Sequence, residues 1–469
     1  MTAAEASDQT NLIAWIERTV GGRVLRTDRL ARWRPAWDID LELDGRVLPL
    51  HARGERELNF AIPDRIADEW PTHDLLEAHG IPVPHIYGIC EKPRAIVMDR
   101  LAGNVDLTFA DSDEERMALI DEYLEWNRQI YAIDLAEAAA KGFDIPTDAR
   151  GVALGNFVRY EAIHDRLMSA PDPMSQYLRG WLHRNYPRHR THARFITYDA
   201  FQFMFENGRI TGLLDFELSH VGDPLKDLGA LRVRDTIKNL GDLAQLADRY
   251  AEVTGEELDH DVIDYHTVLY NTLTVFSAAP TIVAPERTTD LISHMAWYVN
   301  SARWALEVIA DMMGIELEAV EEITPSPSPH HSAVAHLVEG LSDRSSTHGG
   351  GDYERASLYR VARHLCRIDE IGGGVERADL EDLSRLLGRP VTRETATEAL
   401  LTFVEQATAS DDEALVRLFD RRMQRFHQLL GPPRSMLLRH PPLRSLRPGV
   451  DVSAGNDQRW PAGIIPGTG

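Results

Sequence analysis

Two acids sit where a hairpin would bring them together. In ITYDAFQFMFENGRITGLLDFELSHVGDPLKDLG (196–229), Asp199 follows the apolar run FIT and Asp215 ends the run ITGLL, with an Asn207-Gly208 turn between them. Strand ends joined by a tight turn lie side by side. Carboxylates held in this way can divide labour: one accepts a proton from a hydroxyl while the other holds a divalent metal. An isolated pair of this kind serves equally well to cap nearby backbone. Glu217 is a third acid, able to assist a metal or to form a salt bridge, and His220 reads as a structural hydrogen-bonder.

The elements around this hairpin change character along the chain. A short helix at 10–19 precedes strand-like segments at 22–32, 38–43, 46–53, 81–90 and 95–101, with Asp44-Gly45 as a hairpin turn and a helix over 64–79. Together they make a small antiparallel sheet with one inserted helix. From about 112 the apolar period becomes helical, at 113–140, 154–169, 174–185, 225–255, 260–279 and 288–322, interrupted only by the acid hairpin. TPSPSPHH (324–331) reads as a linker, since alternating prolines favour an extended chain, and a Gly/Ser-rich break follows at 342–351. Helical stripes return at 353–370, 377–387, 393–408 and 411–430, a small bundle. The Gly372-Gly373-Gly374 run follows a helix rather than a strand, so it is no nucleotide fingerprint. His330-His331 is a linker pair at which metal binding is not expected.

LLDFELSHVGDPLKDLG (213–229) resembles the aminoglycoside-phosphotransferase-like family, in which a strand ends in Leu-Asp, an acid follows two residues on, and a Gly-Asp-Pro…Asp-Leu run comes next. WLHRNYP (181–187) is similar to the subgroup linked to acyl-CoA dehydrogenases, whose substrates are hydroxyacyl-CoA thioesters. The resemblance covers roughly 10–322. It implies an α+β, two-lobed protein-kinase-like fold, with a small antiparallel sheet lobe and a mainly helical lobe, followed here by the C-terminal helical bundle. The expected units are 10–103 and 104–323 for the two lobes, 324–352 as linker, 353–431 as a helical accessory domain and 432–469 as a flexible tail. The order of helices in 353–430 resembles an accessory protein of that same subgroup.

The resemblance also implies roles. Asp199 orients or deprotonates the substrate hydroxyl, and Asp215 holds Mg²⁺ against the phosphates of ATP. No lysine precedes Lys92, so Arg53, ending LHAR, takes the place of the phosphate-gripping cation of the third strand, with Glu69 as its helix partner. AIVMDRLAG (95–103) is similar to the hinge strand, where backbone near Met98 and Arg100 would meet adenine. Asp227 is expected to tie the catalytic loop to a helix. Three departures stand against the family pattern. Thr197-Tyr198 replaces its His-Gly. The loop after Asp199 is short and lacks the usual Asn, so Gln202, one methylene longer, is the nearest amide for the metal; a solvent-facing Gln is the other reading. The nucleotide-covering turn, RWRPAW (32–37), has no glycine, so Trp33, Arg34 and Trp37 would cover or partly block the site.

The expected function is therefore an ATP- and Mg²⁺-dependent phosphotransferase acting on a small-molecule hydroxyl, a hydroxyacyl-CoA by subgroup. A catalytically silent kinase-fold binding protein and an aminoglycoside or antibiotic kinase remain the alternatives. Composition narrows the partners. With 469 residues, 43% of them apolar, the chain is long enough for two to four packed units. A formal net charge of −24 repels phosphate backbones and anionic lipid, which argues against nucleic acid and membrane as partners. The N-terminus has no signal-peptide pattern, and only Cys90 and Cys366 are present, far apart in sequence. A reducing, cytoplasmic setting fits.

Overall fold

A computed structural model of the protein describes residues 3–30, 34–55, 59–63, 66–238, 240–287, 289–342, 350–430 and 439–449. The chain opens with α1 (Ala3–Thr19), then β1 (Arg23–Arg29), β2 (Ala36–Leu43), β3 (Arg46–Gly54), α2 (Trp70–Ala78), β4 (Ile86–Glu91) and β5 (Arg94–Asp99). The five strands form one antiparallel sheet in the order β1-β2-β3-β5-β4. Asp44 and Gly45, both at positive φ, make the tight turn between β2 and β3, and Leu43 pairs with Arg46 across it. Strand alternation then sorts the side chains. Trp37, Ile39, Leu41, Leu50 and Ala52 bury against Leu12 and Ile16 of α1, while Arg53, Ile96 and Met98 face the other way. The helix expected over 64–79 is shorter: α2 begins at Trp70, next to Pro71, and Glu69 is its N-cap residue.

The helical lobe contains α3 (Asp113–Tyr131), α4 (Leu135–Ala140), α5 (Ala149–Leu167), α6 (Pro173–Asn185), β6 (Arg194–Ile196), β7 (Phe203–Glu206), β8 (Arg209–Leu213), β9 (His220–Gly222), α7 (Leu225–Lys238), α8 (Leu243–Thr254), α9 (His260–Val283) and α10 (Leu291–Met313). Acids and a serine punctuate it. Ser112, Asp134, Asp148, Asp172, Asp242 and Asp259 each accept a backbone N–H at a helix start. Asp134 and Asp242 therefore split two helices that the periodicity alone runs together, 113–140 and 225–255. The acid hairpin survives as β7 and β8, with β6 pairing to β9 beside it.

After Gly314, at φ 67°, the chain leaves α10 and runs extended along α14 (Asp412–Leu429). Gln424 and Gln428 clamp that segment: each accepts a backbone N–H, from Val320 at 2.9 Å and Ile323 at 3.0 Å, and each donates back to a carbonyl, of Glu318 and Glu321. The 324–352 linker contains α11 (His331–Ser342). The helices expected at 353–370 and 377–387 are one element, α12 (Gly350–Leu387), which passes straight through the glycine run. Its stripe of Ala362, Ile371, Val375 and Leu383 is buried on both sides of that run and carries the helix across. The glycines admit a neighbour, because a Cβ on Gly374 would come within 2.5 Å of the Ile323 methyl. With α13 (Arg393–Gln406) and α14, this region shares one core with the helical lobe: Leu400, Leu415 and Phe419 belong to the same buried cluster as Tyr177 and Val299. Most of the expected flexible tail lies outside the described residues, but 439–449 is docked. Trp304 donates to the Pro441 carbonyl at 2.8 Å, and Leu443 and Leu446 are buried.

Helices α7 and α9 cross at Gly229, where a Cβ would lie 2.8 Å from the His266 carbonyl carbon and the Thr267 nitrogen. Backbone on the far side cannot rotate away. Gly229→Ala is expected to lose about 1–3 kcal/mol of stability, read from denaturant unfolding. A change within the error of that measurement would show that the two helices are not locked there.

Candidate active site

The loop between β6 and β7 turns on two left-handed residues, Tyr198 (φ 58°) and Phe201 (φ 59°). Neither is glycine, and such a conformation costs about 1–2 kcal/mol per residue. Bonds from the surrounding helices offset that cost. The Tyr198 N–H donates to Asp227 Oδ1 at 2.9 Å, the Tyr131 hydroxyl donates to Asp227 Oδ2 at 2.6 Å, and Lys238 Nζ donates to the Phe201 carbonyl at 2.5 Å. Asp227 thus joins the loop to α3. On the other arm, Asp215 is itself left-handed (φ 65°), and the Leu214 N–H donates to the Gln202 carbonyl at 2.9 Å. This folding sets Asp199 and Asp215 on either side of one amide: Gln202 Nε2 lies 3.5 Å from Asp199 Oδ2 and 3.4 Å from Asp215 Oδ2.

Charged groups then alternate through the cleft. Asp199 Oδ1 accepts from Arg234 Nε at 2.8 Å and from the Tyr270 hydroxyl at 2.9 Å. Asp215 Oδ1 accepts from Arg53 Nη1 at 3.1 Å, and the other end of the Arg53 fork binds Glu69. Arg34 lies 3.9 Å from Glu69 and 3.6 Å from Glu217, and its Nε donates to the Gly54 carbonyl at 2.7 Å. Asp215 is the most open of the acids, with its side chain 20% exposed, against 4% for Asp199 and 1% for Glu69. Burial pushes the Asp199 and Glu69 carboxyls up, opposed by Arg234 and Arg53 respectively. For Arg53, burial acts to lower its pKa, but Glu69, Asp215 and Glu217 outweigh it and hold the guanidinium above its ordinary range. Burial, reinforced by the Arg234 charge, brings Lys238 down to about 7.

The structure thus brings together Arg53, Glu69, Asp199, Gln202 and Asp215. Met98 and Arg100 lie at the end of β5, Met98 on the same face of the sheet as Arg53 and two residues from Ile96, the strand partner of Arg53. Met98 packs with Ile66, Ile86 and Ile96, and Arg100 pairs with Asp40 at 2.6 Å while its N–H donates to the Pro49 carbonyl. Trp37 is on the α1 face, under Arg29, and does not enter the cleft; Trp33 lies outside the described residues. Arg34 is the member of the glycine-free turn that does enter. Arg234 and Tyr270 were not expected from the sequence. Arg234 had a signal: it follows Asp227 by two helical turns, on the face of α7 that meets the loop. Tyr270, on α9, had none.

The donor set suits a hard divalent cation. Two carboxylate oxygens turn to one point, now met by the positive end of an amide. A half-turn of Gln202 would present its oxygen instead, giving the all-oxygen ligation that Mg²⁺ completes with phosphates and water. Arg53, beside Asp215, is the cation that those phosphates would meet.

The family model described as "Phosphotransferase enzyme family" matches residues 14–261, more than half of the chain. No curated protein matches it. Among solved structures, the chain is similar to a choline kinase from Streptococcus pneumoniae (14% identity, TM-score 0.47, 65% of this chain and 99% of that one). It is also similar to a macrolide 2'-phosphotransferase from Brachybacterium faecium (19%, 0.40, 61% and 96%). A third similarity is to a thermostable mutant of aminoglycoside phosphotransferase APH(4)-Ia, in a ternary complex with AMP-PNP and hygromycin B (16%, 0.45, 65% and 99%).

His73 supports the cleft from α2. Its ring meets Phe216, between Asp215 and Glu217, edge-on at 4.9 Å, and its Nδ1 donates to the Pro84 carbonyl at 3.1 Å. Burial, reinforced by the Arg53 charge, pushes the imidazole down to about 4 from 6.5. A depressed histidine stabilises the fold above its unfolded value and loses that contribution as the pH falls from 6.5 towards 4. Between pH 7 and 4, His73→Leu is expected to lose about 2–3 kcal/mol less than the wild type, measured by urea unfolding at each pH. Equal losses would mean that His73 does not carry this share of the acid sensitivity.

Proposed function

The chain belongs to the phosphotransferase enzyme family, and from that premise we propose that it moves the γ-phosphoryl group of ATP to a hydroxyl of a small molecule, with Mg²⁺ as the metal. The observation that carries this reading is the convergence of Asp199 and Asp215 on Gln202, with Arg53 bound to both Asp215 and Glu69. Phosphoryl transfer asks a protein mainly for positioning and charge compensation. In our reading Asp199 receives the acceptor hydroxyl. Arg234 and Tyr270 occupy its Oδ1; Oδ2, which now accepts from Gln202 Nε2 at 3.5 Å, is the oxygen that takes the hydroxyl's hydrogen bond and then its proton once that amide turns its oxygen to the metal. Asp215 and Gln202 supply oxygen ligands, and Arg53, braced by Glu69, aligns the phosphates. When bound, the metal contributes neutralisation of the phosphate charge. The acceptor class we propose is a hydroxyacyl-CoA, supported by the 181–187 motif and by the order of the appended helices.

One observation favours the rival reading of a silent binder: Arg34, Arg53 and Arg234 all lie against carboxylates of the cleft. Transfer from γ-labelled ATP separates the two. Wild type with Mg²⁺ is expected to label a 3-hydroxyacyl-CoA in preference to choline or an aminoglycoside. Asp199→Asn is expected to slow labelling by about 100- to 10,000-fold while keeping the thermal shift given by ATP and Mg²⁺. Asp215→Ala is expected to abolish that shift. A wild type that shifts with no nucleotide would reverse the assignment to the silent binder, and labelling of an aminoglycoside instead would overturn the acceptor class.

A further inference from the structure

Far from the cleft in sequence, His331, Cys366 and Glu370 each bring one ligand-type atom within 4.8 Å of the others. They come from two elements. His331 opens α11, and Cys366 and Glu370 are one turn apart on α12. Each is half-buried. The imidazole is already oriented: Nδ1 donates to Asp369 Oδ2 at 2.9 Å, which leaves the lone pair on Nε2. A carboxylate behind the ring is the arrangement that fixes tautomer and direction in metal-binding histidines. Asp369 is held in turn by the Ser328 hydroxyl. The Cys366 thiol donates to Glu370 Oε1 at 3.5 Å, while Glu370 Oε2 accepts from Arg367 at 2.8 Å. One carboxylate oxygen is therefore anchored and the other is turned to the sulfur.

We propose that His331, Cys366 and Glu370 form a three-ligand site for a borderline-soft divalent cation, Zn²⁺ in the first place, which clips the 324–331 segment to α12. Sulfur, nitrogen and oxygen together suit Zn²⁺, whereas Mg²⁺ and Ca²⁺ take oxygen alone. The thiol proton leaves to solvent as the sulfur–metal bond forms, and thiolate and carboxylate then balance the ion's two charges. Water fills the fourth position. The segment so clipped is already registered on the helix, since the Ser326 N–H donates to the Glu370 carbonyl at 2.7 Å. The linear sequence hides the site because Cys366 and Glu370 follow His331 by more than thirty residues, with no motif linking them.

Cobalt tests this directly on the full chain, stripped with chelator and free of nucleotide. One equivalent of Co²⁺ is expected to give a thiolate-to-cobalt charge-transfer band that Zn²⁺ then bleaches. Cys366→Ser removes the band, and Asp369→Asn keeps it with about 10- to 100-fold weaker affinity. No band at one equivalent overturns the proposal, as does a band that survives in Cys366→Ser, which would place the metal on Cys90. A second measurement needs no variant: Zn²⁺ is expected to protect Cys366 from alkylation in the wild type, and equal alkylation with and without Zn²⁺ also overturns the site.

Discussion

Everything in the cleft hangs on the demand that buried charge be paired. Arg53, on the sheet, reaches Glu69 at the head of α2 and Asp215 in the helical lobe, 162 residues further along the chain. Removing one partner from a buried pair costs about 3–5 kcal/mol, because the other is left uncompensated. No member can therefore relax independently. The β3 strand, the start of α2 and the acid hairpin are held in one geometry by this pairing together with the apolar packing of Leu75, Leu76 and His73 with Leu213 and Phe216. Arg34 extends the same logic. Where the family turn would use glycine to bring backbone close to phosphate, this chain folds an arginine between Glu69 and Glu217. The cleft is thus closer to internal charge balance than an acid-rich sequence suggests.

That balance also explains which parts of the site could be read from the sequence. The two acids were legible because each follows an apolar strand-like run near an Asn-Gly turn, although Asp199 lies in the β6–β7 loop ahead of the hairpin and takes its direction from α7. Arg53 was named from the resemblance, which puts a cation at the end of a strand like LHAR, in a chain with no lysine before Lys92. Arg234 and Tyr270 were not, since their partner lies on a loop far away in the chain, and a helix reading assigns them only a face. The fold shows the same division. Asp44-Gly45 announces its turn through positive φ, whereas the breaks at Asp134 and Asp242 depend on side-chain caps that apolar periodicity cannot register. The glycine run in α12 misleads in the opposite sense. Glycine lowers helix propensity by about 1 kcal/mol, yet the flanking buried stripe and the space taken by Ile323 outweigh it.

The appended helices are not an independent module hung on a tether. Tyr177 of α6 stacks on Phe419 of α14 at 5.4 Å, and Arg184 pairs with Asp412 at 2.6 Å. The extended stretch after α10 is also fixed, since amide side chains of α14 satisfy its backbone on both the donor and acceptor sides. A proline-rich sequence reads as loose because it forms no ladder of its own. Here α14 satisfies the residues just ahead of the prolines and α12 takes up the stretch itself at Ser326, which is the way an extended segment meets its hydrogen-bonding needs against a packed surface.

Helix α7 is where these constraints meet. One face presents Asp227, Arg234 and Lys238 to the loop that carries Asp199. Gly229 sets it against α9 at backbone distance. From a third side, the docked tail segment grips it: the Arg444 guanidinium forks onto Asp235, and Arg232 donates to the Arg444 carbonyl at 2.8 Å. Arg447 adds bonds to Asp261 and Asp264 on α9, and Asp264 also binds Arg232. A helix held on three sides has little freedom to rotate, and a rotation would swing Arg234 off the Asp199 carboxylate. The direction of Asp199 is therefore set less by its own strained loop than by a helix whose register is fixed from outside the cleft, in part by residues more than 200 positions downstream.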